Sequence, residues 1–437
     1  MPLAQTFKNI FRIKELRDRI LLTFGLLIVF RLGSHILLPG LNPSAIAELL
    51  KQSEGGFFDT LQAISASQLG SLFSFGIMPY ITASIIMSLL TKVNPRLEAI
   101  AKEGPSGHRK INQYTRMLTI PICLVQGFMV VVGSWGKHIY GVELVPASTS
   151  FGGIIMMVLA LLAGAVFVMW LGEQITEHGI GNGASMLIMA GIIARLPRIV
   201  GRIITEVQKD IISGGAAVMI CVIYVSVIVF IVFITQSQRR IPVQHAKMWR
   251  GRRITLGQRN YLPLKVNQAG VMPVIFASAL MGIPYLFSMI PGLDIVRRAF
   301  ERGDFIYSAF YVSMIFFFSY FWTFLFFPPD EMANNLKEYG SFIPGIRPGH
   351  NTAEYLDRIL RRITLLGAAF LCAISLLPDM SAAALGMNRA DVAFLGGTGI
   401  LIIVGVSQDV VQKIESYLLM HNYAGFMGEG TALRGRR

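Results

Sequence analysis

The run GIIMMVLALLAGAVFVMWL, Gly153 to Leu171, contains no charged side chain. A bilayer core of about 30 Å needs roughly 20 residues of helix to cross it, so this stretch reads as a membrane span. The same criterion picks out ten runs. The first five are Leu21 to Leu38, Leu72 to Thr91, Met117 to Ser134, Gly153 to Leu171 and Gly183 to Ile204. The second five are Ala216 to Thr235, Ala269 to Ile290, Ile306 to Phe327, Ile363 to Pro378 and Val392 to Val411. Over the 437 residues, 53% are hydrophobic and only 15% charged. The mean hydropathy of +0.57 lies above what a soluble domain of this length carries.

Ten spans put both termini on one side of the membrane. The N-terminal tail, the alternate connections and the C-terminal tail hold 28 Lys or Arg, against 10 in the opposite connections. The basic side is expected to be cytoplasmic. One connection dissents: Arg195, Arg198, Arg202 and Lys209 lie between spans five and six, on the side read as external. Residues 1–20 carry Lys8, Arg12, Lys14, Arg17 and Arg19 and suit a short amphipathic segment on the cytoplasmic membrane surface or a solvated basic face. No cleavable signal peptide is expected there, because no small-residue cleavage site follows. Cys123, Cys221 and Cys372 lie inside apolar runs without CxxC spacing, which points to packing rather than a metal site or disulfides.

Two cytoplasmic connections are too long for simple turns, residues 236–268 and 328–362, and are expected to project from the membrane. The first contains Lys247, Arg250, Arg252 and Arg253 among eight basic residues and no acidic one. Such a patch fits a polyanionic partner, and equally anionic lipid. In the second, Arg347 stands between Pro344, Gly345, Pro348 and Gly349, a stiff turn that presents one guanidinium. After the first span, residues 55–70 mix Phe57, Phe58, Leu61 and Ile64 with Ser65, Ser67 and Gln68. That mixture is too polar for lipid and suits either a short helix inside a cavity or an ordinary external loop helix.

Several segments closely resemble the SecY family: GIMPYITASI (Gly76 to Ile85), EGPSGHRKINQYTR (Glu103 to Arg116), GIGNGASMLI (Gly179 to Ile188), LPLKVNQAGVMPVIFASA (Leu262 to Ala279), ANNLK (Ala333 to Lys337) and SFIPGIRPGHNTAEYL (Ser341 to Leu356). The resemblance implies an all-α membrane protein of ten helices in two inverted five-helix halves, about 21–204 and 205–415, followed by a cytoplasmic tail at 416–437. It implies a pore between the halves and a lateral gate built from spans two and seven with help from three and eight. The function implied is that of the central subunit of a protein-conducting channel in the bacterial plasma (inner) membrane. Such a channel passes unfolded secretory polypeptides and releases transmembrane segments into lipid.

The same resemblance assigns roles to residues. A narrow apolar ring, which holds back ions by dewetting, falls on Ile77, Ile81, Ala184, Ile188, Ile275 and Ile402, with Ala184 the smallest. The plug of the resting channel falls on Phe57, Phe58, Leu61, Ile64 and Ser67. Thr82, Gln126 and Asn267 fall on the lateral gate, where hydrogen bonds of about 1 kcal/mol could yield to an inserting signal helix, or serve only as packing glue. Lys247, Arg250, Arg252, Arg253 and Arg347 fall on the docking face for a SecA-type motor ATPase or for ribosomal RNA. Small SecE-like and SecG-like subunits, signal peptides, nascent chains and the lipid bilayer are the other partners implied. No cofactor is expected.

A secondary transporter of small solutes would also use broken helices and a midplane site, but it would need intramembrane charges. Intramembrane charges are few, Arg31 and His35 in span one and Asp409 close to the end of span ten, with no carboxylate relay. An intramembrane enzyme is disfavoured because no HExxH motif and no mid-span Ser/His or carboxylate constellation occurs. With no GxxxxGK[ST] loop, energy is expected to come from a partner or a gradient.

Overall fold

A computed structural model describes residues 13–42, 70–135, 144–146, 149–209, 213–245, 248–250, 253–255, 259–287, 305–385 and 398–428. The chain divides into two compact units, Met1–Arg198 with Val406–Arg437, and Ile199–Gly405. Each of the ten apolar runs carries a helix. In the first unit these are α1 (Lys14–Gly33), α2 (Met78–Val93), α4 (Pro105–Phe128), which continues as a π-helical segment Met129–Trp135, α5 (Phe151–His178) and α6 (Gly183–Ile193). A short helix α3 (Pro95–Lys102) joins α2 to α4, and α7 (Leu196–Gln208) leads out of the unit. In the second unit the spans are α8 (Gly214–Gln236), α9 (Met272–Phe287), α10 (Phe305–Phe326), α12 (His350–Leu385) and the start of α13 (Thr398–Gly428), with α11 (Pro329–Glu338) between α10 and α12. Five of the described helical stretches are long and apolar enough to cross a membrane by length and composition.

Local chemistry sets the boundaries. Asn94 accepts from Arg96 N at 3.0 Å and Pro95 follows it, a side-chain cap with proline in the first turn, which starts α3. Span five is not one helix. Pro197 has no N–H to give the carbonyl of Ile193, so α6 stops at Ile193 and the proline sits in the first turn of α7. Span nine is longer than its apolar run, because α12 begins at His350. Its first turns are charged and are supported by the one-turn pairs Arg358–Glu354 at 3.1 Å and Arg361–Asp357 at 2.7 Å. A hydropathy window passes over such a stretch.

The largest departure from the helical expectation lies in the two long connections. Residues 236–268 form β1 (Gln238–His245), β2 (Met248–Arg250), β3 (Arg253–Thr255) and β4 (Arg259–Lys265), and residues 341–342 form β5. The sheet order is β4-β1-β5, all antiparallel, with Ile241 opposite Leu262 and Gln244 opposite Phe342. The two connections therefore make one module. Its core is Ile241, Leu264, Ile343, Leu356, Ile359, Leu360 and Ile363.

Among spans the packing is close rather than greasy, since lipid offers no hydrophobic drive to associate. A Cβ placed on Gly183 would meet the carbonyl oxygen of Gly172 at 1.8 Å, so α5 and α6 touch backbone to backbone. Likewise a Cβ on Gly164 would meet Leu72 O at 2.1 Å, seating the chain before α2 on α5. In the second unit one apolar core joins α8, α9, α10, α12 and α13 through Ile231, Val274, Ala277, Ile315, Leu371 and Leu401.

Candidate functional site

In the first unit, Ile77 is the residue before α2, reached through a turn at Gly76 whose φ of 50° suits glycine. Ile81 donates its N–H to Ile77 O at 3.1 Å, so the two stand one turn apart. Both are buried, Ile77 to 1% exposure. Its Cδ1 lies 3.1 Å from where a Cβ on Gly172 would stand, so the missing side chain at 172 gives Ile77 its seat. Ala184 and Ile188 are likewise a turn apart on α6; Ile188 is buried and Ala184 half-buried.

The loop that aims α6 is held by hydrogen bonds to its neighbours. Asn182 Oδ1 accepts from Ala184 N at 3.1 Å, and Gly183 N donates to Thr176 Oγ1 at 2.9 Å. Ile180 N donates to Thr23 Oγ1 at 3.1 Å, while that hydroxyl donates to Arg19 O at 2.8 Å. The motif GIGNGAS is thus a helix start pinned to α1 and α5. Between α4 and the C-terminal part of α5, Arg116 Nε donates to Glu173 Oε1, a pair that Glu173 holds at only 17% side-chain exposure. Reading the spans as purely apolar runs missed it; opposite charges just outside two adjacent spans were the available signal.

In the second unit, Asn267 is buried in the bend ahead of α9. That bend is fastened by Val266 N to Ser237 O at 2.9 Å and by Lys265 N to Gln268 Oε1 at 2.9 Å. Gly367 lets α12 lie directly on it, since a Cβ there would be 2.5 Å from Val266 O. Ile275 on α9 and Ile402 on α13 are both buried. Of the other gate candidates, Thr82 donates its hydroxyl to Met78 O at 3.1 Å, within its own helix. Gln126 is half-buried, next to Gly127 and just before the π-helical segment.

Phe57, Phe58, Leu61, Ile64 and Ser67 lie outside the described residues, but the ends of their connection do not. Leu38 N donates to Gly70 O at 2.9 Å and Leu72 N to Ile36 O at 2.8 Å, so the chain leaves and re-enters at one backbone bridge. Lys247 and Arg252 also lie outside the described residues. Arg250 and Arg253 are partners in the register that closes the β2–β3 hairpin. Arg347 is exposed, in a turn where Gly345 and Gly349 have φ of 83° and 104° and where Thr352 Oγ1 donates to Arg347 O at 2.9 Å. Strand pairing of His245 with Ser341 brings this turn beside β1, the strand that leads into the basic hairpin.

The SecY family model matches residues 71–411. The chain belongs to the SecY family. It is 40% identical over 446 residues to the protein translocase subunit SecY of Thermotoga maritima, covering 99% of this chain and 100% of the relative. Among solved structures, a protein conducting channel superposes with a TM-score of 0.63 at 17% identity, covering 92% of this chain and 93% of that one. Sec61 in the canine ribosome-channel complex from the endoplasmic reticulum superposes with a TM-score of 0.61 at 16% identity, again over 92% and 93%. The SecY fold thus extends over nearly all of the chain, and the chain is a multi-pass, helical membrane protein.

Proposed function

We propose that this chain is the central subunit of a protein-conducting channel, which passes unfolded secretory polypeptides across the bacterial plasma membrane and releases apolar segments sideways into lipid. The observation that carries the reading is the end-to-end 40% identity to a SecY translocase subunit. Both termini are cytoplasmic in this proposal, in keeping with the 28-to-10 distribution of basic residues. The chain supplies a passive path. Free energy comes from a SecA-type motor or from the ribosome, and SecE-like and SecG-like subunits complete the assembly. A ribosome partner is in keeping with the ribosome-bound state of the Sec61 relative.

Constriction is assigned to Ile77, Ile81, Ala184 and Ile188 in the first unit and to Ile275 and Ile402 in the second. Bulky aliphatic side chains suit the task because they adapt to any passing side chain, offer it no fixed hydrogen bond, and exclude water when the path is empty. Single cysteines at Ile81, Ile188 and Ile275 should each crosslink to an arrested secretory precursor in reconstituted vesicles. Labelling by lipid-borne probes alone would remove these positions from the path.

A further inference from the structure

Helix α7 (Leu196–Gln208), with the residue on either side of it, carries the basic residues that break the positive-inside pattern, and no residue of it belongs to the two cores described above. When the 3.6-residue screw of the helix is continued one residue beyond each end, positions 195, 198, 202 and 209, all Arg or Lys, fall within about a 60° arc. Leu196, Val200, Ile203, Ile204 and Val207 fall on a separate arc of about 100°. Val200 and Ile204, one turn apart, are 51% and 53% exposed. Glu206 is the acidic residue within the helix, and Asp210 follows it. An apolar stripe open to its surroundings beside a cationic stripe is the pattern of a helix that lies in the plane of a membrane interface. Anionic headgroups there would also favour a basic segment on the side where the topology rule disfavours one.

We propose that α7 is an interfacial helix of the non-cytoplasmic leaflet that binds anionic phospholipid, with Val200 and Ile204 at the acyl boundary and the basic face of the helix toward the headgroups. The leaflet named rests on the orientation proposed above. To test it, the full chain, with Cys123, Cys221 and Cys372 replaced and Ile204→Cys carrying a fluorophore, is placed in phosphatidylcholine vesicles containing a minor share of phosphatidylglycerol. Bromine is put on the chains of one lipid at a time. Brominated phosphatidylglycerol should quench beyond its mole fraction, by about fivefold for each cation engaged. The double variant Arg198→Gln/Arg202→Gln should lose that excess while quenching by phosphatidylcholine persists, and Glu206→Gln should raise it. Quenching by phosphatidylglycerol only in proportion to its mole fraction would overturn the proposal. So would absence of quenching by either lipid, which would leave the stripe to an acidic protein partner. Separately, Lys209→Cys should react with an impermeant thiol reagent from outside the cell. Reaction from the cytoplasmic side alone would overturn the orientation, whatever the lipid result.

Discussion

At Gly172 and Gly183 the same substitution, glycine to alanine, should have different consequences, because different atoms stand in the way. A Cβ on Gly183 would collide with the Gly172 backbone, its oxygen at 1.8 Å and its Cα at 2.9 Å, and neither can move without parting α5 from α6. Overpacking of this kind costs about 1–3 kcal/mol or more. Gly183→Ala should therefore lower the melting temperature of the detergent-solubilised protein clearly, and loss of purifiable protein would be the extreme of the same effect. At Gly172 the nearest atom is Cδ1 of Ile77 at 3.1 Å, the mobile end of a side chain, with Leu187 Cδ1 next at 3.4 Å. A shift of a few tenths of an ångström relieves that contact, and alanine regains up to about 1 kcal/mol of helix propensity. Gly172→Ala should leave the melting temperature nearly unchanged. If Ile77 belongs to the constriction, the same variant should change resting ion conductance in planar bilayers. An unaltered conductance would leave Ile77 as packing alone.

Elements explain what a residue list does not. From sequence, the basic hairpin and the Arg347 turn are two separate projections; in the fold, β1 pairs with both β4 and β5, and one core lies beneath them. The turn is thereby held on a folded base rather than on a tether. Arg347→Glu should accordingly leave insertion and melting temperature of the chain intact while blocking translocation. Motor or ribosome binding should weaken and lose part of its salt dependence, since a phosphate- or carboxylate-directed arginine has become an acid. Unimpaired secretion in reconstituted vesicles would take the docking role from this residue. The helices were legible because apolar length is a direct physical requirement of the bilayer. The sheet was not. Ile241 and Val243 do alternate inward, but Arg239, Arg240 and Pro242 stand among them, and Pro263 interrupts β4. Proline is tolerated in β1 because β5 reaches only Gln244 and His245, leaving Pro242 at an edge.

For the whole molecule, apolar run length and charge asymmetry yield a ten-span membrane protein with a favoured orientation. The break of span five at Pro197 and the charged first turns of α12 escape that reading, because a hydropathy window averages over both. The candidate site was legible only through family motifs: an isoleucine in a membrane helix packs in the same way whether or not a polypeptide will pass it. Gly172 was missed because its role is to be empty. The plug role that the family resemblance implies for residues 55–70 is open to a clean test because of the bridge at Leu38 and Gly70. Both ends of the intervening connection are fastened to buried residues, Leu38 and Ser71 each being 1% exposed. Deleting Gln62 to Leu69 should therefore leave the bridge and the helices around it standing. Removing eight residues from a connection of this length changes the loop-closure cost by only about 0.3 kcal/mol. On the plug assignment the melting temperature should hold while resting ion leak in planar bilayers rises, a seal being lost rather than packing. A raised leak with a lowered melting temperature would mean that the segment is part of the packing, and an unchanged conductance would mean that the seal is elsewhere.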